Sequence, residues 1–218
     1  MAHASQAIIP KARGMYAKRI SAAEYDALMR RRTVPEVAAV LKKHPYFADS
    51  LATLSATDPH REQIEELLSM DIFEKYEMLM RYDFTKESFA NYFMIECEVQ
   101  EILRVLRMLS TGVPGRYMKH LPPFLEGSLR FDLFRLAEAR SFDEVLEVLH
   151  FTPYYKVLRP IWVKDPFLRD YPGVEAVMVR YYYAAVFELA QKHLPQRALK
   201  AVSELFSQEA EIYNIGVI

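Results

Sequence analysis

The sequence predicts an all-α protein built from tandem helical-bundle repeats, and three observations carry the helical part. Apolar residues recur mostly at three- and four-residue spacing rather than by alternation, which is the period of a helix face and not of a strand. Hydroxyl residues stand three positions ahead of glutamates at Ser21 with Glu24, Thr33 with Glu36 and Ser141 with Glu144, a pairing that caps the free N–H groups of a first helical turn. Turn-forming clusters, Thr111-Gly-Val-Pro-Gly115 and Pro122-Pro123 with Gly127, fall between the periodic segments rather than inside them.

The elements follow in order. Thr33 opens a helix that Pro35 does not break, because proline is tolerated in a first turn. Asp58-Pro59 opens a long helix from His60 to about Tyr82. A second long helix runs from about Glu87 to Leu109, with Phe89, Phe93, Val99, Ile102, Leu103 and Leu106 on neighbouring turns, and the Thr111 to Gly115 cluster ends it. Helices then cover roughly Leu129 to Ala139, Phe142 to His150, Val174 to His193, and Arg197 onward.

The helical pattern repeats. Thr33 to Phe47 aligns without gaps on Ser141 to Tyr155, a shift of 108 residues that matches Glu36, Val37, Val40, Leu41, Pro45 and Tyr46 with Glu144, Val145, Val148, Leu149, Pro153 and Tyr154. Ile64, Glu65 and Phe73 fall opposite Val174, Glu175 and Tyr183 at a shift of 110. Phe93, Glu96, Glu98, Val99 and Ile102 fall opposite Phe206, Glu209, Glu211, Ile212 and Ile215 at a shift of 113. Shared amphipathic periodicity explains matched apolar positions; it does not explain caps, prolines and aromatics recurring in order. The expected organisation is therefore a first unit at 1–110 and a second at 111–218, too long for the short solenoid repeats of 20 to 50 residues.

Composition narrows the partners. The chain is 51% hydrophobic and 26% charged, as in folded proteins, and 28 Lys and Arg balance 29 Asp and Glu, so no global positive field attracts nucleic acid or an anionic membrane. Cys97 is the single cysteine, so no internal disulfide or thiolate cluster can form, and a reducing cytoplasm fits. Met1 to Arg19 lacks the apolar core of a signal peptide, and Val174 to Ala190 is interrupted by Glu175, Arg180 and Glu188, which makes it a buried helix rather than a membrane span.

Site chemistry is sparse, and the expectation is a non-enzymatic interaction protein with no catalytic, metal or cofactor residue. Six glycines include no P-loop, no G-x-G-x-x-G and no G-x-S-x-G. Glu147-Val-Leu-His150 has the Glu-x-x-His spacing that would place two ligands on one helix face, but di-iron bundles need a second such motif and two further glutamates, and the repeat puts Ala39 and Lys42 at the equivalent positions. Glu96 with Glu98, and Glu209 with Glu211, are two residues apart and point to different sides of a helix. They are expected to be structural carboxylates that cap or pair with an arginine across a helix contact. Arg30 to Arg32 is the one dense basic run, expected as a solvated helix end, and Tyr181 to Tyr183 with Phe187 are expected in packing. No residue is singled out for partner binding.

Lys11-Ala-Arg-Gly-Met15, Tyr25-Asp-Ala-Leu28 followed by Thr33-Val-Pro-Glu36, His44-Pro-Tyr-Phe47 and Glu209-Ala-Glu-Ile-Tyr-Asn-Ile215 together resemble the C subunit of bacterial and archaeal V/A-type ATP synthases, called subunit d in eukaryotic vacuolar ATPases. The last segment is similar to an acidic-x-x-Asn-Ile helix of that family, although the first copy reads Glu98-Val-Gln-Glu101-Ile102 and lacks the Asn. The resemblance implies a funnel of pseudo-threefold helical repeats at the cytoplasmic face of the membrane. It would be peripheral, held through protein contacts with the central stalk and the membrane rotor ring, and would transmit torque for proton or sodium transport. A generic helical scaffold or adaptor is the alternative. The family continues into a third unit, so the final helix is expected to open a unit absent here, and a chain truncated at this point to self-associate through its apolar end, where Leu199, Val202, Phe206, Ile212 and Ile215 recur.

Overall fold

The computed structural model describes residues 7–55, 58–83, 88–112, 122–164 and 171–216, and no strand occurs among them. Ten α-helices are described: α1 (Ile8–Ala17), α2 (Ala22–Met29), α3 (Val34–Lys43), α4 (Arg61–Met80), α5 (Tyr92–Ser110), α6 (Leu133–Glu138), α7 (Phe142–Val148), α8 (Pro153–Lys164), α9 (Tyr171–His193) and α10 (Gln196–Gly216). The all-α class is the one the periodicity predicts.

The chain divides into two compact units, Met1–Lys86 and Glu87–Ile218. This division falls ahead of the 110/111 boundary between the sequence copies. The physical reason is that α5, the last helix of the first copy, packs on α6, α7 and α9 and so takes its neighbours from the second. A packing unit ends where contacts thin out, whereas a repeat ends where the pattern restarts.

In the first unit, Ser21 forms a full capping box: its hydroxyl accepts the Glu24 N–H (3.3 Å) and the Glu24 carboxylate accepts the Ser21 N–H (2.8 Å). The Thr33 cap differs in one detail. Thr33 Oγ1 accepts the Glu36 N–H (3.4 Å), but the Glu36 carboxylate reaches one residue further back, to the Arg32 N–H (3.1 Å). Ser141 reproduces that variation, accepting from Glu144 N–H (3.2 Å) while Glu144 accepts from Arg140 N–H (2.8 Å). Ala38, Leu41, Leu51, Leu54 and Ile64 form the buried core of the unit, with Leu28, Val37, Leu67 and Leu68 packed around it.

In the second unit, α9 packs on α5, α8 and α10. Its buried residues Val174, Met178, Tyr182, Val186 and Ala190 recur every four residues, a single ridge that other helices grip. Gly112, at φ 70, takes the left-handed position just beyond α5, where a side chain would be strained, and so ends that helix as expected.

Several boundaries moved, and two helices were not foreseen. α5 starts at Tyr92, after a 3-10 turn at Phe89–Asn91, and Glu87 lies outside the described residues. α6 starts at Leu133 rather than Leu129 because the Asp132 carboxylate accepts the Arg135 N–H (2.9 Å) and fixes the N-terminus there. α9 begins three residues early, at Tyr171, with Pro172 in its first turn, where proline is tolerated. α1 and α8 are the additional helices. Thr152-Pro-Tyr154 closes α7 but also opens α8, Pro153 being its first residue. In the first copy, His44-Pro-Tyr-Phe leads instead into turns, with Ala48 N–H donating to His44 C=O (3.0 Å) and Leu51 N–H to Phe47 C=O (2.9 Å).

Candidate functional site

The most built polar cluster of the second unit joins three segments around Glu98. This residue lies on the buried face of α5 with Val99 and Ile102, and its side chain is 1% exposed. A carboxylate there must be paired, since an isolated buried charge costs far more than a fold can spare. The Arg130 backbone N–H donates to Oε1 (2.6 Å), Arg130 Nε donates to Oε2 (2.8 Å), and the Tyr154 hydroxyl donates to Oε2 (2.5 Å). Tyr154, in the first turn of α8, is fully buried and packs edge-on against Phe131 and Tyr181. Burial, reinforced by the Glu98 charge, raises its phenol far above the ordinary value, so it stays protonated and acts as a fixed donor. Arg130, its side chain 43% exposed, closes the cluster on the outside. Glu98 therefore pairs with an arginine, as expected of a structural carboxylate, but the arginine stands in the irregular segment before α6 rather than on a helix.

The first unit has a counterpart at its own Pro-Tyr position. Lys75 lies over the Tyr46 ring (3.4 Å) and pairs with the buried Asp71, which also accepts from Ser50 Oγ (2.6 Å). Each unit thus ties a buried carboxylate to a cation and a tyrosine. Residue types alone did not mark Asp71, Lys75 or Arg130, because none belongs to a motif. The one signal was the repeated Pro-Tyr.

Glu96 behaves differently from Glu98, and its electrostatic neighbour is Glu209 on α10. Its carboxyl is raised above the usual value of 4.5, first by burial and then by the Glu209 charge. Tyr92 and Tyr182 are raised by burial and by the same two glutamates. A raised folded-state pKa means the native state binds this proton more tightly than the unfolded chain does. The contribution of this one group to stability is fully present below 4.5 and is lost as pH rises through the raised value. Glu96→Gln is accordingly expected to stabilise the fold at pH 7 and to leave it nearly unchanged below pH 4, measured by urea titration at the two pH values. A loss of stability at pH 7 would show that Glu96 is held by a favourable partner instead.

The second unit has other polar and apolar features. Arg107 links α5 to α9, donating to the Tyr171 hydroxyl (2.8 Å) and Glu175 (3.2 Å). The cavity lined by Leu106, Val145, Leu158, Trp162 and Val174 measures about 20 Å³ and is apolar, room for one water rather than a substrate. Burial pushes the Cys97 thiol up to about 12, which removes it as a nucleophile near neutral pH. Glu147 and His150 do not share a helix face: α7 ends at Val148, His150 sits in the following turn against Phe151 and Tyr155, and both are exposed. Among the described residues, no group of three or more His, Cys, Asp or Glu side chains could hold a metal ion, and no helix is long and apolar enough to cross a membrane.

Among the described residues, large apolar side chains are exposed on α10 and α2, among other places. α10 exposes Leu205, Glu211, Ile212 and Ile215, and α2 exposes Tyr25 and Met29 beside the exposed Arg30 to Arg32. No curated protein and no solved structure matches the chain. The family model for the ATP synthase (C/AC39) subunit matches residues 8–218, nearly the whole length, and the chain belongs to that family, the C/d subunits of V/A-type ATP synthases.

Proposed function

We propose that this chain is a non-catalytic central-rotor subunit that couples the central stalk of a V/A-type ATPase to its membrane rotor ring, for transport of protons or sodium ions. The single observation that carries the reading is the family match over residues 8–218. The locked packing supports it, because a part that transmits torque must resist shear. The Glu98 cluster ties α5, the segment before α6, and α8 at three points, and Arg107 ties α5 to α9. With no membrane-crossing helix among the described residues, its place at the cytoplasmic face of the membrane would be peripheral, through protein contacts.

The proposal includes descent from a duplicated unit. The Thr33 and Ser141 caps share the same departure from a standard capping box, and α3, α4 and α5 come in the same order as α7, α9 and α10, with α8 additional between α7 and α9. Superposing 33–102 on 141–215 in an experimental structure tests the duplication directly. The coupling role is tested by tagging the full chain in its native cell and purifying it with mild detergent. Stalk and ring subunits in near-stoichiometric yield are expected, and deletion of the chain should leave ATP hydrolysis without ion pumping. Capture of neither stalk nor ring would overturn the role.

A further inference from the structure

α5 and α10 both pack beside α9, and ring contacts fix which of their turns face each other. Phe206 of α10 is buried and packs edge-on against Tyr92 in the first turn of α5 (ring centroids 5.4 Å apart) and against Phe89 just ahead of it (6.3 Å). Farther along α10, Tyr213 comes within electrostatic reach of Arg107, in the last turn of α5, and of Glu175, to which Arg107 donates. Phe206 thus sits at the start of α5 and Tyr213 toward its end, so the two helices run the same way. The next turn of each then brings a carboxylate to the joint, Glu96 four residues after Tyr92 and Glu209 three after Phe206, because residues three and four apart share a helix face.

Around this pair stand Tyr92 and Cys97 from α5, Tyr182 and Tyr183 from α9, and Tyr213 from α10. Burial, and then the charges of Glu96 and Glu209, hold the phenols of Tyr92, Tyr182 and Tyr183 above their ordinary value. Burial likewise raises the Tyr213 phenol and the Cys97 thiol. These groups stay protonated at neutral pH and carry no positive charge to offset a carboxylate, so the two glutamates are the groups left to titrate. We propose that the joint of α10 with α5 and α9 is a proton-sensitive latch, closed by one proton held between Glu96 and Glu209 and eased when both carboxylates are charged. Gln100 Nε2 donates to Glu96 Oε1 (3.3 Å), which leaves the other oxygen of that carboxyl for the shared proton. With the proton in place, the neutral carboxyl donates to the charged one, and repulsion gives way to a hydrogen bond. The proton comes from solvent and returns to it. Burial and the Glu209 charge raise the Glu96 carboxyl above 4.5, so the latch is closed below the raised value and eases as pH rises through it. The Glu98 cluster lies two residues on, on another side of α5, and is not opened by it. The latch belongs to the chain whether or not the coupling role does.

The test is amide hydrogen exchange of the full chain from about pH 5 to about pH 8, read as protection factors, in which the pH dependence of chemical exchange is divided out. Protection of the α10 amides on both sides of Glu209 should fall several-fold as pH rises, while the amides of α7 and α8 in the same unit hold theirs. Glu96→Gln, which cannot ionise, should keep α10 protected throughout and abolish the dependence. Glu209→Gln removes the repulsion but leaves Glu96 in its partly buried place, so it should reduce the dependence rather than abolish it. Glu211→Gln, two residues on and on another side of α10, should behave as the native chain does. Native α10 protection that does not change with pH overturns the latch, as does a dependence that survives in Glu96→Gln or is undiminished in Glu209→Gln. Equal loss of protection in α7 and α8 would mean that the whole unit loosens with pH, and a flattened profile in Glu211→Gln that net charge alone sets the effect; either result overturns the latch too.

Discussion

Replacing Arg130 by methionine is expected to cost the second unit about 3 kcal/mol, near the low end of the 3–5 kcal/mol typical when one partner of a buried ion pair is removed. The low end applies because the Arg130 guanidinium is partly solvated, which discounts its share, and because the backbone N–H of residue 130 still donates to Glu98. Tyr154→Phe removes one donor from the same carboxylate and should cost about 1.5–3 kcal/mol, the range for a hydrogen bond to a charged group. The double variant Glu98→Leu with Arg130→Met should cost less than the sum of the two single variants, since the pairing between the two side chains is lost only once. Trp162, the only tryptophan, stacks on Phe142 within this unit, so its fluorescence during urea unfolding reports the right transition. A double variant that is additive would mean the charges act separately.

Much of this architecture was legible from residue patterns, for reasons that are local. The caps at Ser21, Thr33 and Ser141 were readable because a hydroxyl and a glutamate three residues apart act within one turn. Gly112 was readable as a helix end because its backbone conformation is its own. What escaped depends on distant residues. Arg130 lies in an irregular segment with no periodicity and acquires its role from Glu98, 32 residues away, and Tyr154, 24 residues away. The start of α8 was missed because Thr152-Pro-Tyr154 both ends one helix and begins the next, and proline signals either event. Glu96 was read with Glu98 by proximity in sequence; in the fold its carboxylate neighbour is Glu209, its own counterpart in the other copy.

The same repeat that pairs these glutamates yields a sharp energetic contrast at Ile102 and Ile215. The two match at a shift of 113 residues in the sequence, yet Ile102 is 0% exposed and Ile215 is 72% exposed. Ile102→Ala deletes buried methyl and methylene groups and leaves a cavity that α5 and α9 can only partly close, so a loss of about 2–5 kcal/mol is expected. Ile215→Ala removes the same atoms from a surface and should stay within about 0.5 kcal/mol, provided the measurement is made at high dilution. Dilution matters because a partner bound only to the native state adds to apparent stability by mass action. If α10 is covered by another molecule, the Ile215→Ala penalty should therefore grow with protein concentration while the Ile102→Ala penalty stays constant. A concentration-independent loss of several kcal/mol at Ile215 would mean that this face of α10 is buried within a single molecule. In that case its likeness to α5 would extend from sequence to packing, with the covering surface supplied by the chain itself.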